Sequence, residues 1–379
     1  MKREAYPAAR TISPRLHAYF ARHREAAVCS EDCPLAPLPD AQTIEAIVDA
    51  AFWASLRREE GYVPRISLAF LSPEHAKLPL MFARPLPLDP GALTKVAPAV
   101  EQPGIHLGVW RVHDDLCAWG AIRTIPVLCF VLEVAAPGLL VIKHHSGDVW
   151  RKFINVAVLE GDQIKLIEER PSGPPEPTPL LQSLLRFDAP GSGRQAAITI
   201  LQLAVAMRAH GHGGLLLLVP ADSECWRDSV VQPLPYATFP PFSELACLNR
   251  QTPGPEEQHL WQEAVAPAIQ AIGGLTAVDG AVVLNSHYEL LGFGAKIARR
   301  RGSPRVEQIL LTEPIEGAAP ALVHPEQLGG TRHLSAAQFV HDQRDAVALV
   351  ASQDGRFTIM EWSRAENTVH AHRVETLLL

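Results

Sequence analysis

The chain has 379 residues, 47% of them hydrophobic and 20% charged, a globular composition with more length than one domain usually takes. A net charge of -7 and a pI near 6.1 exclude a protein that coats nucleic acid or anionic lipid, because both demand a basic surface. A small anion held by one local cluster of arginine and histidine stays open.

No apolar run reaches the roughly 20 residues that span a membrane, and no basic, apolar leader opens the chain. Of the six cysteines only Cys29 and Cys33 are close, with no second pair or nearby histidine to complete a zinc site. Free or structural thiols in a reduced, cytoplasmic protein are expected.

In chain order, residues 1–40 read as an N-terminal extension. Helical spacing begins at Ala41-Gln42-Thr43-Ile44-Glu45-Ala46-Ile47-Val48. Residues 105–110, 127–132 and 138–142 read as strands, and 156–167 as a hairpin about Gly161-Asp162. His144 and His145 are adjacent, so a strand would aim them to opposite faces, and a surface role is expected. Residues 41–169 are thus predicted to form a smaller α+β domain.

The proline-rich stretch 170–180 is the best linker, since proline lacks the amide proton that helices and central strands need. Beyond it, 181–379 is predicted to be an α/β domain with a central mixed sheet flanked by helices. Residues 194–210 read as a helix and 215–220 as a buried strand. They are followed by a helix at 261–272, a strand at 281–284 and its hairpin partner at 288–295. A helix at 335–343 and a hairpin pairing 346–350 with 356–360 complete the set.

Two short strings in this half carry chemistry. Asp279-Gly280-Ala281 opens a strand, where small residues let a ligand approach the backbone and a carboxylate can hold Mg²⁺ or Mn²⁺. Asp-Gly is also a frequent turn pair, and read alone it favours that assignment. Gly330-Thr331-Arg332-His333 opens a helix, whose free amides and dipole favour an anion, with Thr331, Arg332 and His333 as added donors.

Together these strings resemble the diadenylate cyclase family, whose members carry an Asp-Gly-Ala motif and a Gly-Thr-Arg-His-Arg motif followed by small residues. Ser335-Ala336-Ala337 supplies those small residues here, and Ser352-Gln353-Asp354-Gly355 resembles the family's hairpin turn. The likeness is close over about 260–365. The N-terminal half is similar to the accompanying sensor-like domain, DACNV, through Phe52 to Gly61, Leu93 to Ala99 and Trp119-Gly120.

The resemblance implies condensation of two ATP into cyclic di-AMP, in a homodimer or larger homo-oligomer, with Mg²⁺ or Mn²⁺. It assigns Asp279 to the metal, and Asp279, Arg332 and His333 to catalysis. Gly280, Ala281, Gly330, Thr331, Arg332, His333 and Ser352 fall to nucleotide binding. Leu290, Leu291 and Phe293 are candidates for the adenine wall, although strand-core packing is the stronger assignment for them.

One departure stands out. Leu334 replaces the family's second arginine, and a lost transition-state contact of that kind costs several kcal/mol, on the order of a thousandfold in rate. Arg299, Arg300, Arg301 and Arg305 are candidate replacements, with a solvated basic turn as the simpler assignment. Two readings therefore follow: a cyclase under the control of its N-terminal domain, or a catalytically weakened module that senses a nucleotide.

Overall fold

The computed structural model describes residues 4–27, 35–58, 61, 63–102, 104–113, 115–146, 153–167, 193–251 and 258–378. Cys29, Cys33 and the proline-rich stretch 170–180 lie outside them. The chain divides into two compact units, Met1–Glu168 and Glu169–Leu378.

The N-terminal unit opens with α1 (Pro7–Ala26) and α2 (Ala41–Ser55). Proline at the start of α1 costs nothing, because that amide has no helical partner. At α2 the Asp40 carboxylate accepts from the Thr43 amide at 2.7 Å, a side-chain N-cap. Ile44, Ile47, Val48 and Ala51 then recur at helical spacing and are all fully buried. A short helix, α3 (Pro90–Val96), follows.

These helices accompany β1 (Ser67–Phe70), β2 (Leu80–Pro87), β3 (His106–Val112), β4 (Asp115–Ile122), β5 (Phe130–Ala136), β6 (Leu139–His145), β7 (Phe153–Glu160) and β8 (Gln163–Leu166). The sheet order is β2-β4-β3-β1-β5-β6-β7-β8, with β1 and β3 parallel and the other neighbours antiparallel. Helix residues Ile12, Leu16, Phe20, Ile44 and Ile47 share one core with sheet residues such as Leu107 and Leu132. Residues 7–26 are therefore part of this unit's core.

That placement corrects the expectation for His144. The side chain is buried rather than on the surface, because α1 covers it: the Tyr19 hydroxyl lies 3.2 Å from Nε2, and the Phe20 ring meets it edge-on. The strand expected from Val127 begins only at Phe130, since Leu128 adopts a left-handed φ of 58° and turns the chain.

The C-terminal unit contains α4 (Gly193–Ala209), α5 (Glu244–Asn249), α6 (Gln258–Leu275) and α7 (Thr331–Asp342). Its strands are β9 (Gly214–Val219), β10 (Tyr236–Phe242), β11 (Ala281–Asn285), β12 (Leu290–Ala295), β13 (Ile309–Thr312), β14 (Ala321–Val323), β15 (Val347–Ala351), β16 (Phe357–Ser363) and β17 (Thr368–Arg373). They form a nine-stranded mixed sheet in the order β10-β12-β11-β9-β15-β16-β17-β13-β14. Strands β9 and β11 are parallel and every residue of both is buried, the pattern of strands covered on two faces.

On one face Leu215, Leu217, Ala281, Val283 and Met360 pack with Phe339 and Val340 of α7. The alternate residues Leu216, Leu218, Val282 and Leu284 are equally buried on the other. Helices α4 and α6 pack closely enough that a Cβ on Gly273 would come within 2.6 Å of the Ala206 Cβ.

Candidate functional site

The Asp279 string sits where β11 begins. Gly280 has φ of 112°, and a Cβ there would overlap the Gly294 backbone of β12, so only glycine fits. The tight crossing leaves Asp279 projecting outward with its side chain 89% exposed, while Ala281 enters the core.

The Asp279 carboxylate is paired with the Lys296 ammonium, which emerges just after β12. The hydrogen bond and charge of Lys296, with a smaller contribution from Arg332, hold the Asp279 carboxyl below its usual range. Residues more than fifty positions apart thus meet at one end of the sheet.

Helix α7 brings Arg332 there. Gly330 is its N-cap and gives no side-chain cap; the His333 amide turns back to the Gly330 carbonyl at 3.1 Å, which leaves the Thr331 and Arg332 amides to face an anion. Thr331 is exposed, as a phosphate contact requires. The Arg332 guanidinium lies against Gly213, where a Cβ would come within 2.9 Å of Nη1 and 3.1 Å of the Ala351 carbonyl oxygen. Gly213 has φ of 69° and ends the turn into β9, so the guanidinium rests where a side chain would otherwise stand.

His333 turns inward. It is 2% exposed, its ring packs where a Cβ on Gly329 would lie, and Nε2 is 3.4 Å from the Thr358 hydroxyl. Burial first, then Arg373, Arg356 and Arg332, lower its pKa to about 4 against an opposing pull from Asp354. His333 therefore props the helix start as a neutral ring rather than presenting a cation to solvent.

Ser352 is likewise engaged. Its hydroxyl donates to the Asp354 carboxylate, and its amide donates to the Arg356 carbonyl at 2.9 Å. Arg356 Nε is 3.5 Å from Asp354 Oδ2, and Arg208 Nε donates to the Gly355 carbonyl at 3.1 Å, so the turn is bracketed by two guanidinium groups.

On β12, Leu290 is buried and Leu291 is a half-buried side chain packed against the core. The register pairs Ala295 with Ala281 at the Asp279 end, and Leu291 lies four residues away, about 13 Å along the strand. Phe293 is nearer and stacks on Tyr236, with centroids 4.7 Å apart. The Tyr236 ring lies over Gly294, itself against Gly280, and is 52% exposed. Tyr236, Lys296, Arg356 and Gly213 escaped the sequence reading; only their tertiary convergence marks them.

Arg300 and Arg301 lie at the other end of α7. The Arg300 amide donates to Asp342 Oδ2 at 2.8 Å, at the C-terminal end of α7, and Arg305 pairs with Glu326 at 3.6 Å. Because Asp342 lies twelve residues along the helix from Gly330, Arg300 is anchored about 18 Å from it. A cavity of about 750 Å³ opens at that far end, lined by Trp226, Arg300, Arg301, His341 and Asp342. Its Asp342 is already spent on Arg300, Ser303 and Gln338.

Residues 33–123 match the family described as the probable sensor domain DACNV. The DACNV match spans α2 and β1 to β4. Within it, the Trp119 ring occupies the space above Gly108 and its Nε1 donates to the Leu71 carbonyl at 2.7 Å, which accounts for tryptophan and glycine there. No curated protein matches the chain. Among the described residues, no helix is long and apolar enough to cross a membrane.

Proposed function

We propose that the C-terminal unit binds metal-ATP between Asp279 and the start of α7 and condenses two ATP into cyclic di-AMP, with the DACNV domain as its regulatory sensor. The observation that carries this reading is the convergence of Asp279, Lys296 and Arg332 at one end of the sheet, beside open helix amides.

The donor set suits Mg²⁺ or Mn²⁺, which are commonly held by one or two carboxylates with substrate phosphates completing the shell. Asp279 would hold the ion, whose contribution is to neutralise phosphate charge and make the ribose hydroxyl a better nucleophile. Arg332 and the α7 amides hold phosphate oxygens, and Lys296 adds a cation that a phosphate can draw from Asp279. Arg356, close enough to act on His333, supplies the second guanidinium that Leu334 lacks. The Tyr236–Phe293 pair offers an aromatic face to the base. Such a reaction needs mainly positioning and charge neutralisation.

Purified protein with ATP and Mn²⁺ should release cyclic di-AMP and pyrophosphate, read by mass spectrometry. Asp279→Asn should abolish product while nucleotide binding, read by calorimetry, is partly kept. Product formation unaffected by the substitution would remove Asp279 from the mechanism.

Leu334 and the Lys296 pairing of Asp279 favour a second reading, a nucleotide-sensing module without turnover. Tight ATP binding with no product at any protein concentration supports that reading; no binding at all sinks both.

A further inference from the structure

The nine-stranded sheet carries a second constellation. Glu361 on β16 pairs directly with His370 on β17, and His372 lies two residues along β17 on the same face. One ligand-capable atom from each of the three lies within 4.8 Å of the others. His372 Nε2 is 3.4 Å from Glu361 Oε1, and the two imidazole centroids are 4.0 Å apart.

Two further observations point to a bound ligand. The Nε2 of His370 is buried with no hydrogen-bond partner among the described residues, which folded proteins rarely tolerate. The Nδ1 of His372 is 2.7 Å from the Thr312 hydroxyl on β13, the outer hydrogen bond that fixes a ligating imidazole and leaves Nε2 for a metal. The His372 and Glu361 side chains are 12% and 13% exposed, nearly dry yet reachable.

We propose that Glu361, His370 and His372 bind one divalent transition-metal ion of the zinc class. Two imidazoles and a carboxylate are borderline donors that suit Zn²⁺ better than Mg²⁺ or Ca²⁺, and three protein ligands leave a further position open.

The site lies on the sheet face away from α7, because Val369 and Ala371, the alternate residues of β17, pack with that helix. Glu361 is five residues beyond Arg356, about 16 Å along β16, so this site is separate from the Asp279 site and independent of the nucleotide reading.

Full-length protein stripped with chelator and titrated with ZnCl₂ by calorimetry should bind one ion per chain. Titration with CoCl₂ should give the visible absorption bands of a low-coordinate site. His370→Gln and His372→Gln should each weaken binding by about a hundredfold or more, and Thr312→Val by about ten- to a hundredfold. Metal-free melting temperatures of the variants check their folding, and Zn²⁺ should raise the melting temperature of the unsubstituted protein more than that of any variant. Absence of one-to-one binding overturns the proposal, as does one-to-one binding that survives in the folded His370→Gln/His372→Gln double variant.

Discussion

Burial of His333 behind the first turn of α7, reinforced by Arg373, Arg356 and Arg332, makes the folded protein prefer the neutral ring. An unfolded chain takes up the proton near pH 6.5, whereas the folded one resists to about 4. The unfolded state therefore binds more protons between those values. The stability this ring contributes is complete above pH 6.5 and is lost as pH falls towards 4, an effect of at most about 3 kcal/mol. Urea midpoints of the C-terminal unit should accordingly drop over that window, and His333→Gln should flatten the slope. His370, with its pKa also lowered to about 4 by burial and His372, leaves a residual slope in that variant. An unchanged slope would mean that the native ring accepts its proton freely. At this scale the sequence disclosed Asp279 and Arg332 because each stands in a short local motif. It disclosed neither Lys296 nor Arg356, since nothing in their spacing from Asp279 tells that β12 ends beside it, or that β16 starts at the same end of the sheet.

Among elements, the central strands were legible because covered sheets demand unbroken apolar runs, as in β9 and β11. The edge strands were not. Strands β2 and β10 are largely exposed and carry Pro85, Pro87, Pro240 and Pro241, residues that edges tolerate and that read in a sequence as loop. Helix α1 was hidden for a different reason. Its apolar stripe of Ile12, Leu16 and Phe20 is one residue wide and set among charged positions, although all three are buried in the N-terminal core. This yields a direct check on whether residues 7–26 belong to the unit. Leu16→Ala should cost it about 2–5 kcal/mol, through lost burial and the cavity left behind. Chemical denaturation should show its transition at lower urea, with the C-terminal transition unmoved. No shift would return α1 to the status of an appendage.

At the scale of the whole molecule, the two units carry different kinds of information. The DACNV match lies wholly within the N-terminal unit, whereas the reading of the C-terminal unit rests on its own residues. Joining two ATP molecules into a ring requires two nucleotides to face each other, and a single C-terminal unit presents one Asp279 and one α7 start. On the proposed cyclase reading, turnover would come from a pair of chains, and that has a consequence in mixtures. With ATP saturating, wild-type chains mixed with a ninefold excess of the Asp279→Asn variant will mostly pair with the variant. If a mixed pair cannot close the ring, product per wild-type chain falls roughly tenfold, in proportion to the surviving wild-type pairs. The measurement needs only fixed wild-type concentration, increasing variant and quantified cyclic di-AMP. Product per wild-type chain that stays constant across the series would place both nucleotides on one chain, and the pairing of Asp279 sites would be wrong even if the enzyme is active.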